Sequence, residues 1–266
     1  MHYHGSNFTT LISNRNFIVR RFFIHIMNSC DTVIVLGTKT FSEFTEIGIH
    51  EDKLTIMRMG VPDLQQTVEN IELSISKRRK AHPTILFAGE LGARKGLLET
   101  LQSLSDQKLQ AVKLIVAGSG DLERWKQIAT ELGVQNRVAF VGLRRYSEIH
   151  QFFGIADALI LASKAEGLPV SVMECFSAGK IPIINLSGNL EDVATESNAI
   201  LMTKPIKSDI VRSLDRFNTL FRSQKYDEFS QNSRETWEKF FNVEETTMVL
   251  TQLWANIASQ DEIHEA

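Results

Sequence analysis

The sequence predicts an α/β protein built around a doubly wound parallel sheet. Six short apolar runs begin near Thr84, Lys113, Val138, Ala158, Ile181 and Ala199. They are continuous rather than alternating, as strands buried on both faces require. Segments of helical length separate them, so strand and helix alternate as in successive βαβ units, with right-handed crossovers expected.

The elements follow in order. Residues 14–28 read as a basic helix, 32–36 (TVIVL) as a strand, 39–47 as a helix and 54–59 as a strand. The first helix sets Arg15, Arg20 and Arg21 beside Phe17, Phe22 and Phe23. That pattern suits an anionic surface, but core packing is the preferred reading. Residues 63–82 are polar and end in Lys77-Arg78-Arg79-Lys80, which reads as an interdomain linker. The six strands occupy 83 to about 203, and helices are expected over 208–221, 226–240 and 243–259.

Composition sets bounds. A chain of 266 residues with 43% hydrophobic content holds a sizeable core. A net charge of −3 gives no electrostatic case for nucleic acid. Two cysteines, Cys30 and Cys175, give no disulfide framework and fit a reducing cytosol. No run of apolar residues is long enough to span a membrane, so no span is expected, and Met1-His2-Tyr3-His4-Gly5 leads to no expectation of a signal peptide. The seven histidines are scattered without metal-ligand spacing, so no metal is expected.

The most informative segment is 163–179, SKAEGLPVSVMECFSAG. It lies between the runs 158–162 (ALILA) and 181–186 (IPIINL), and so forms the loop and helix of a βαβ unit. Ligands of such folds bind at the carboxyl ends of the strands. Glu166 falls there, and Glu174 falls within the helix. As a surface pair, Glu166 would cap the helix and Glu174 would be solvated. Val170, Ala178 and Ile181 make the Glu174 face apolar, however, and a carboxylate there needs a partner.

Three other loops carry candidates. In 84–96 (TILFAGELGARKG), Gly89 ends the strand, and Lys95 opens a helix beside Arg94. Two cations at a helix N-terminus make an anion site; the alternative is a solvated loop. In 113–121 (KLIVAGSGD) the third glycine of a dinucleotide fingerprint is absent, so the segment reads as a turn with Asp121 capping a helix. In 138–145 (VAFVGLRR), Arg144 and Arg145 follow a buried strand, and surface exposure is their preferred reading.

Together, EGLPVSVMECFSAGKIPII and GELGARKG resemble the glutamate-seven-glutamate and basic-loop motifs of family 4 retaining glycosyltransferases, of the glycogen-synthase-like group. The resemblance implies a GT-B fold: a complete Rossmann-like C-terminal domain and a partial N-terminal α/β domain. The implied organisation is a partial acceptor-side domain over 1–62, a linker over 63–82, a nucleotide-sugar-binding domain over 83–240 and a helix over 241–266 that crosses back. It implies Glu166 on the donor sugar as a catalytic residue, Glu174 on the ribose, and Lys95 with Arg94 on the diphosphate. Gly89, Gly167 and Leu168 complete the donor site, and the loop over 138–145 lies near the base. HYHGSNF resembles the segment carrying the active-site histidine, which makes His4 catalytic. Leu168 stands where the family usually has an aromatic residue, and Glu90 where many members have arginine. Of the usual glycine pair in 187–199 only Gly188 is present.

The implied activity is retaining sugar transfer from a UDP-, GDP- or ADP-linked donor to a glycan or lipid-linked acceptor, in surface polysaccharide assembly. No cofactor or required metal is implied. The implied location is cytoplasmic, at or near the inner face of the membrane, with peripheral lipid contact or a partner subunit. Two alternatives stand beside it. One is a truncated nucleotide-sugar-binding module that needs a partner chain for activity. The other is a sugar-nucleotide epimerase of the same architecture, which fits the glutamate motif less well.

Overall fold

The computed structural model describes residue 12, residues 14–74 and residues 82–264, with side chains of the last helix described to residue 259. His4 and the basic run 77–80 lie outside the described residues. The N-terminal part holds α1 (Phe17–Asn28), β1 (Val33–Val35), α2 (Thr38–Glu46), β2 (Leu54–Ile56) and α3 (Gln65–Ser74). Then follow β3 (Thr84–Ala88), α4 (Leu97–Leu104), β4 (Lys113–Ala117), α5 (Leu122–Glu131), β5 (Val138–Gly142), α6 (Tyr146–Ile155) and β6 (Ala158–Leu161). The chain continues through α7 (Val170–Ser177), β7 (Ile181–Asn185), β8 (Ile200–Met202), α8 (Lys207–Phe221), α9 (Lys225–Phe240) and α10 (Val243–His264).

Strands β3 to β8 form one wholly parallel sheet in the order β5-β4-β3-β6-β7-β8. The chain leaves β3 in one direction and returns to its other side at β6. This reversal opens a crevice at the carboxyl ends of those two strands. Alternation along each strand feeds two cores. Leu86, Leu159 and Ile184 face Phe153, Phe176 and Phe241, while Ile85, Phe87 and Ile160 face Leu97, Ile210 and Phe217. Asp121 caps α5 by accepting from the Arg124 amide at 3.1 Å, the role its position before the helix predicts.

The N-terminal strands β1 and β2 pair in parallel as a separate two-stranded sheet. Met27, Val33, Val35, Phe44 and Leu54 form its small core. Core packing of α1 holds only in part. Met27 is its one buried residue, whereas Phe17 is 72% and Phe22 62% exposed. Apolar residues lie all round this helix, and the small core covers one side.

The segment expected to be a linker holds α3. Val68 is buried, and Ile71 packs so closely on α6 that a Cβ on Gly154 would lie 2.8 Å from it. Leu64, Val68 and Ile71 make a narrow apolar stripe at helical spacing inside an otherwise polar sequence. The chain before α3 is tied down as well: Ser177 Oγ donates to Pro62 O at 2.6 Å, and Trp237 Nε1 donates to Val61 O at 3.0 Å.

A second tie joins the N-terminal part to the loop after β7. Asp192 accepts from the Thr38 hydroxyl, from the Thr38 amide at 2.9 Å and from Arg58 at 2.7 Å. Burial alone would raise the Asp192 carboxyl. The Thr38 hydroxyl and amide and the Arg58 guanidinium outweigh it and hold the group below its ordinary value.

Two predictions follow from this packing. Gly154→Val should drive α3 from α6 at a cost of about 1–3 kcal/mol, seen as a lower urea midpoint. The lowered Asp192 carboxyl contributes stability that is present above its unfolded value of about 3.9 and lost as pH falls through the lower folded value. Asp192→Asn should therefore melt earlier than the parent at pH 7, and the gap between their melting temperatures should narrow below about pH 4. A gap that is unchanged with acidification would show that the carboxylate charge does not hold this joint.

Candidate functional site

The crevice between β3 and β6 opens into a cleft of about 570 Å³. Gly89, Lys95, Glu166, Gly167, Leu168 and Glu174 all line it, so six of the eight expected site residues converge there. Arg94 stands at its edge, and His4 lies outside the described residues.

The loop after β3 places the cations. A short 3₁₀ turn over Ala93–Lys95 ends at Gly96, whose backbone is left-handed with φ 75°. A Cβ at Gly96 would overlap the Ala162 carbonyl at the end of β6. Glycine thus lets the two loops touch, and Lys95 reaches across. Its Nζ donates to Glu166 Oε1 at 2.6 Å. Arg94 lies 3.8 Å from the same oxygen, donates to Ala165 O at 3.1 Å and pairs with Glu90 at 3.3 Å. Glu166 does not cap α7, whose N-cap position is Pro169 and carries no side-chain cap. Its first residues, Val170 and Ser171, line the cleft. The cleft thus gathers cations and a helix start, the elements that hold an anion.

The loop after β7 fixes the other side. Gly188 crosses the Glu166–Gly167 backbone so closely that a Cβ would overlap both carbonyls. Asn189 donates its amide to Gly167 O at 2.9 Å and its side-chain nitrogen to Thr40 Oγ1 at 2.9 Å. Asn189 is 1% exposed, so this bridge from the N-terminal part to the glutamate loop is shielded from water.

Glu174 lies on α7, 4% exposed, not solvated. Its partners come from α6. His150 Nε2 lies 3.2 Å from Glu174 Oε1, and the Tyr146 phenol stands close enough to feel the carboxylate's charge. Partial burial and the Glu174 charge push the Tyr146 phenol up to about 12. The rings of Tyr146 and His150 meet edge to face, 4.3 Å between centroids. Arg144 and Leu143 line the cleft beyond them. Sequence reasoning missed Tyr146, His150 and Asn189. The need of Glu174 for a partner was legible, but which helix supplies it depends on packing. Cys175 beside Glu174 is wholly buried, and burial pushes its thiol up, so it serves as core.

Among the described residues no cluster of His, Cys, Asp and Glu is gathered to hold a metal, and no helix is long and apolar enough to cross a membrane.

Comparisons with known proteins bear on the family and the fold. The family model of glycosyl transferases group 1 matches residues 69–236, more than half of the chain. An uncharacterized glycosyltransferase of Methanocaldococcus jannaschii is 23% identical over 203 residues, 73% of this chain and 52% of that protein. A glycogen synthase of Desulfitobacterium hafniense is 26% identical over 169 residues, 59% of this chain and 33% of that protein. The chain thus spans about half or less of these relatives' lengths. Among solved structures, Anabaena HepE in complex with UDP-glucose superposes with a TM-score of 0.78 at 18% identity, covering 96% of this chain and 72% of that one. A glycosyltransferase from Rickettsia africae gives 0.81 at 18% identity, covering 97% and 70%. The fold is therefore of the GT-B type, and the chain belongs to the glycosyl transferases group 1 family.

Proposed function

We propose that this chain binds a nucleotide-activated sugar in the cleft between β3 and β6 and takes part in retaining transfer of that sugar to a glycan or lipid-linked acceptor. One observation carries the reading. Lys95, Glu166 and the start of α7 meet at the switch point of the sheet, with Glu174 buried beside them. In this reading the diphosphate competes for Lys95 and Arg94 and meets the amides at the start of α7. Glu166, released from Lys95, turns to the hydroxyls of the donor sugar, and Glu174 accepts from the ribose. Gly89, Gly167 and Leu168 bring backbone close to the sugar and the phosphates. Breaking the bond to the sugar leaves charge on the departing diphosphate, so fixed cations there lower the barrier.

His4 as an acceptor-side catalytic residue belongs to the same proposal. So do a role in surface polysaccharide assembly and a cytoplasmic location at the membrane face. The exposed Phe17 and Phe22 beside Arg20 and Arg21 favour contact with an anionic lipid surface or a partner subunit. The proposed division is an acceptor-side part over 1–62, a donor-binding part over 83–240 and a returning helix over 241–266. The second reading is a chain that binds the donor without transferring it.

Thermal unfolding with UDP, GDP and ADP tests the site. A nucleotide at about 100 times its dissociation constant should stabilise the parent by about 2.7 kcal/mol and leave Glu174→Ala nearly unshifted. Equal stabilisation of both proteins would refute the assignment of Glu174. Transfer assays with the matching sugar nucleotide test Lys95. Lys95→Ala should lower kcat by about 10²–10³-fold, the range for loss of one group aimed at developing charge. A parent that binds the donor and transfers nothing would support the binding-module reading.

A further inference from the structure

The two carboxylates of the cleft have their charges met in different ways. Glu166 has Lys95 at 2.6 Å and Arg94 at 3.8 Å. Glu174, although nearly fully buried, has no lysine or arginine within ion-pair distance among the described residues; it has His150 and Tyr146. A buried carboxylate without a cation depends on hydrogen-bond donors, and an ionised carboxylate is an acceptor only. The His150 ring nitrogen at 3.2 Å therefore serves it as a donor.

His150 is itself 8% exposed and does not line the cleft, whereas Tyr146 and Glu174 do. It stands behind Glu174, one helical turn from Tyr146 on α6, with its ring fixed against the tyrosine edge to face at 73°. The terminal torsion of a glutamate is soft and broad. A donor on Oε1 removes that freedom and sets the plane in which the carboxylate accepts.

We propose that His150 is a positioning residue: by pinning Glu174 it makes the carboxylate select the vicinal hydroxyls of a ribose, so that this site prefers ribonucleotides to 2′-deoxyribonucleotides. The inference rests on the donor-site reading above and adds the residue that sets sugar selectivity on the nucleotide side.

Calorimetric titration of UDP, GDP and ADP, each against its 2′-deoxy counterpart, tests it on the parent, His150→Gln and His150→Met. The parent should favour the tightest-binding ribonucleotide by about tenfold or more, since a hydrogen bond to a charged group is worth at least that factor. His150→Gln keeps a donor at a similar reach and should keep most of the preference. His150→Met keeps bulk without a donor and should bring the ratio to within about twofold, with affinity for the deoxy form near that of the parent. Equal weakening of both forms, with the ratio intact, would show a merely structural histidine and overturn the proposal. A parent that binds ribo and deoxy forms alike overturns it too. If His150→Met does not melt cooperatively, His150→Phe, which keeps a ring against Tyr146, takes its place. A parent that binds none of the nucleotides refutes the donor-site reading itself, an outcome separable from the others.

Discussion

The site depends on one close approach, that of the loop after β3 to the loop after β6. The strand order makes β3 and β6 neighbours, and each sends its chain away on opposite sides. Two such loops normally diverge, which is why a crevice exists at this point in a doubly wound sheet. Here Gly96 brings them back into contact below the crevice, because only a residue without a Cβ fits against the Ala162 carbonyl in a left-handed conformation. From that contact the Lys95 side chain crosses to Glu166 at 2.6 Å. This largely buried ion pair ties the two loops together across the cleft.

The same loop is held from behind by the N-terminal part. Asn189 joins Thr40 to the Gly167 carbonyl, and Asp192 joins Thr38 and Arg58 to the short turn that follows. Gly188 lies between them, pressed on the backbone of Glu166 and Gly167. The position of Glu166 is therefore set from three sides: Lys95 from β3, Gly188 from β7, and the Thr38–Thr40 turn from the N-terminal part. The N-terminal part thus touches the loop that carries the residue the family resemblance places on the donor sugar. The connection is short and polar, and at Asn189 it is shielded from water.

Much of this was legible in the sequence, for physical reasons that also mark where legibility ends. The six strands of the large sheet stand where apolar runs begin, because a strand covered on both faces has no polar residues to interrupt it. Glu166 and Glu174 could be placed because a strand-loop-helix unit fixes which residues reach the carboxyl end of a strand. Helix α3 was not legible. Its stripe of Leu64, Val68 and Ile71 is too narrow to outweigh the polar composition, and its stability comes from packing on α6 rather than from its own pattern. The exposure of Phe17 and Phe22 was not legible either, because an apolar helix does not say which of its faces finds cover. Tyr146 and His150 belong to a third kind. They are 24 or more residues from Glu174 in sequence, and only the packing of α6 on α7 brings them to it.

The contrast between the two carboxylates carries the argument from fold to chemistry. A carboxylate paired with a lysine can give up that lysine to an anion and then accept from hydroxyls. A carboxylate held by a buried imidazole and a phenol has no cation to surrender. The ligand of Glu174 must therefore bring neutral donors, and a pair of hydroxyls answers that need where a phosphate does not. The proposed order of groups along the cleft is consistent with this contrast: phosphate toward Lys95 and Arg94, a diol toward Glu174, and the transferred group toward Glu166. In the donor-site reading that order is the chemical sequence of a sugar joined through a diphosphate to a nucleoside, with Glu166 on the loop before α7 and Glu174 within that helix.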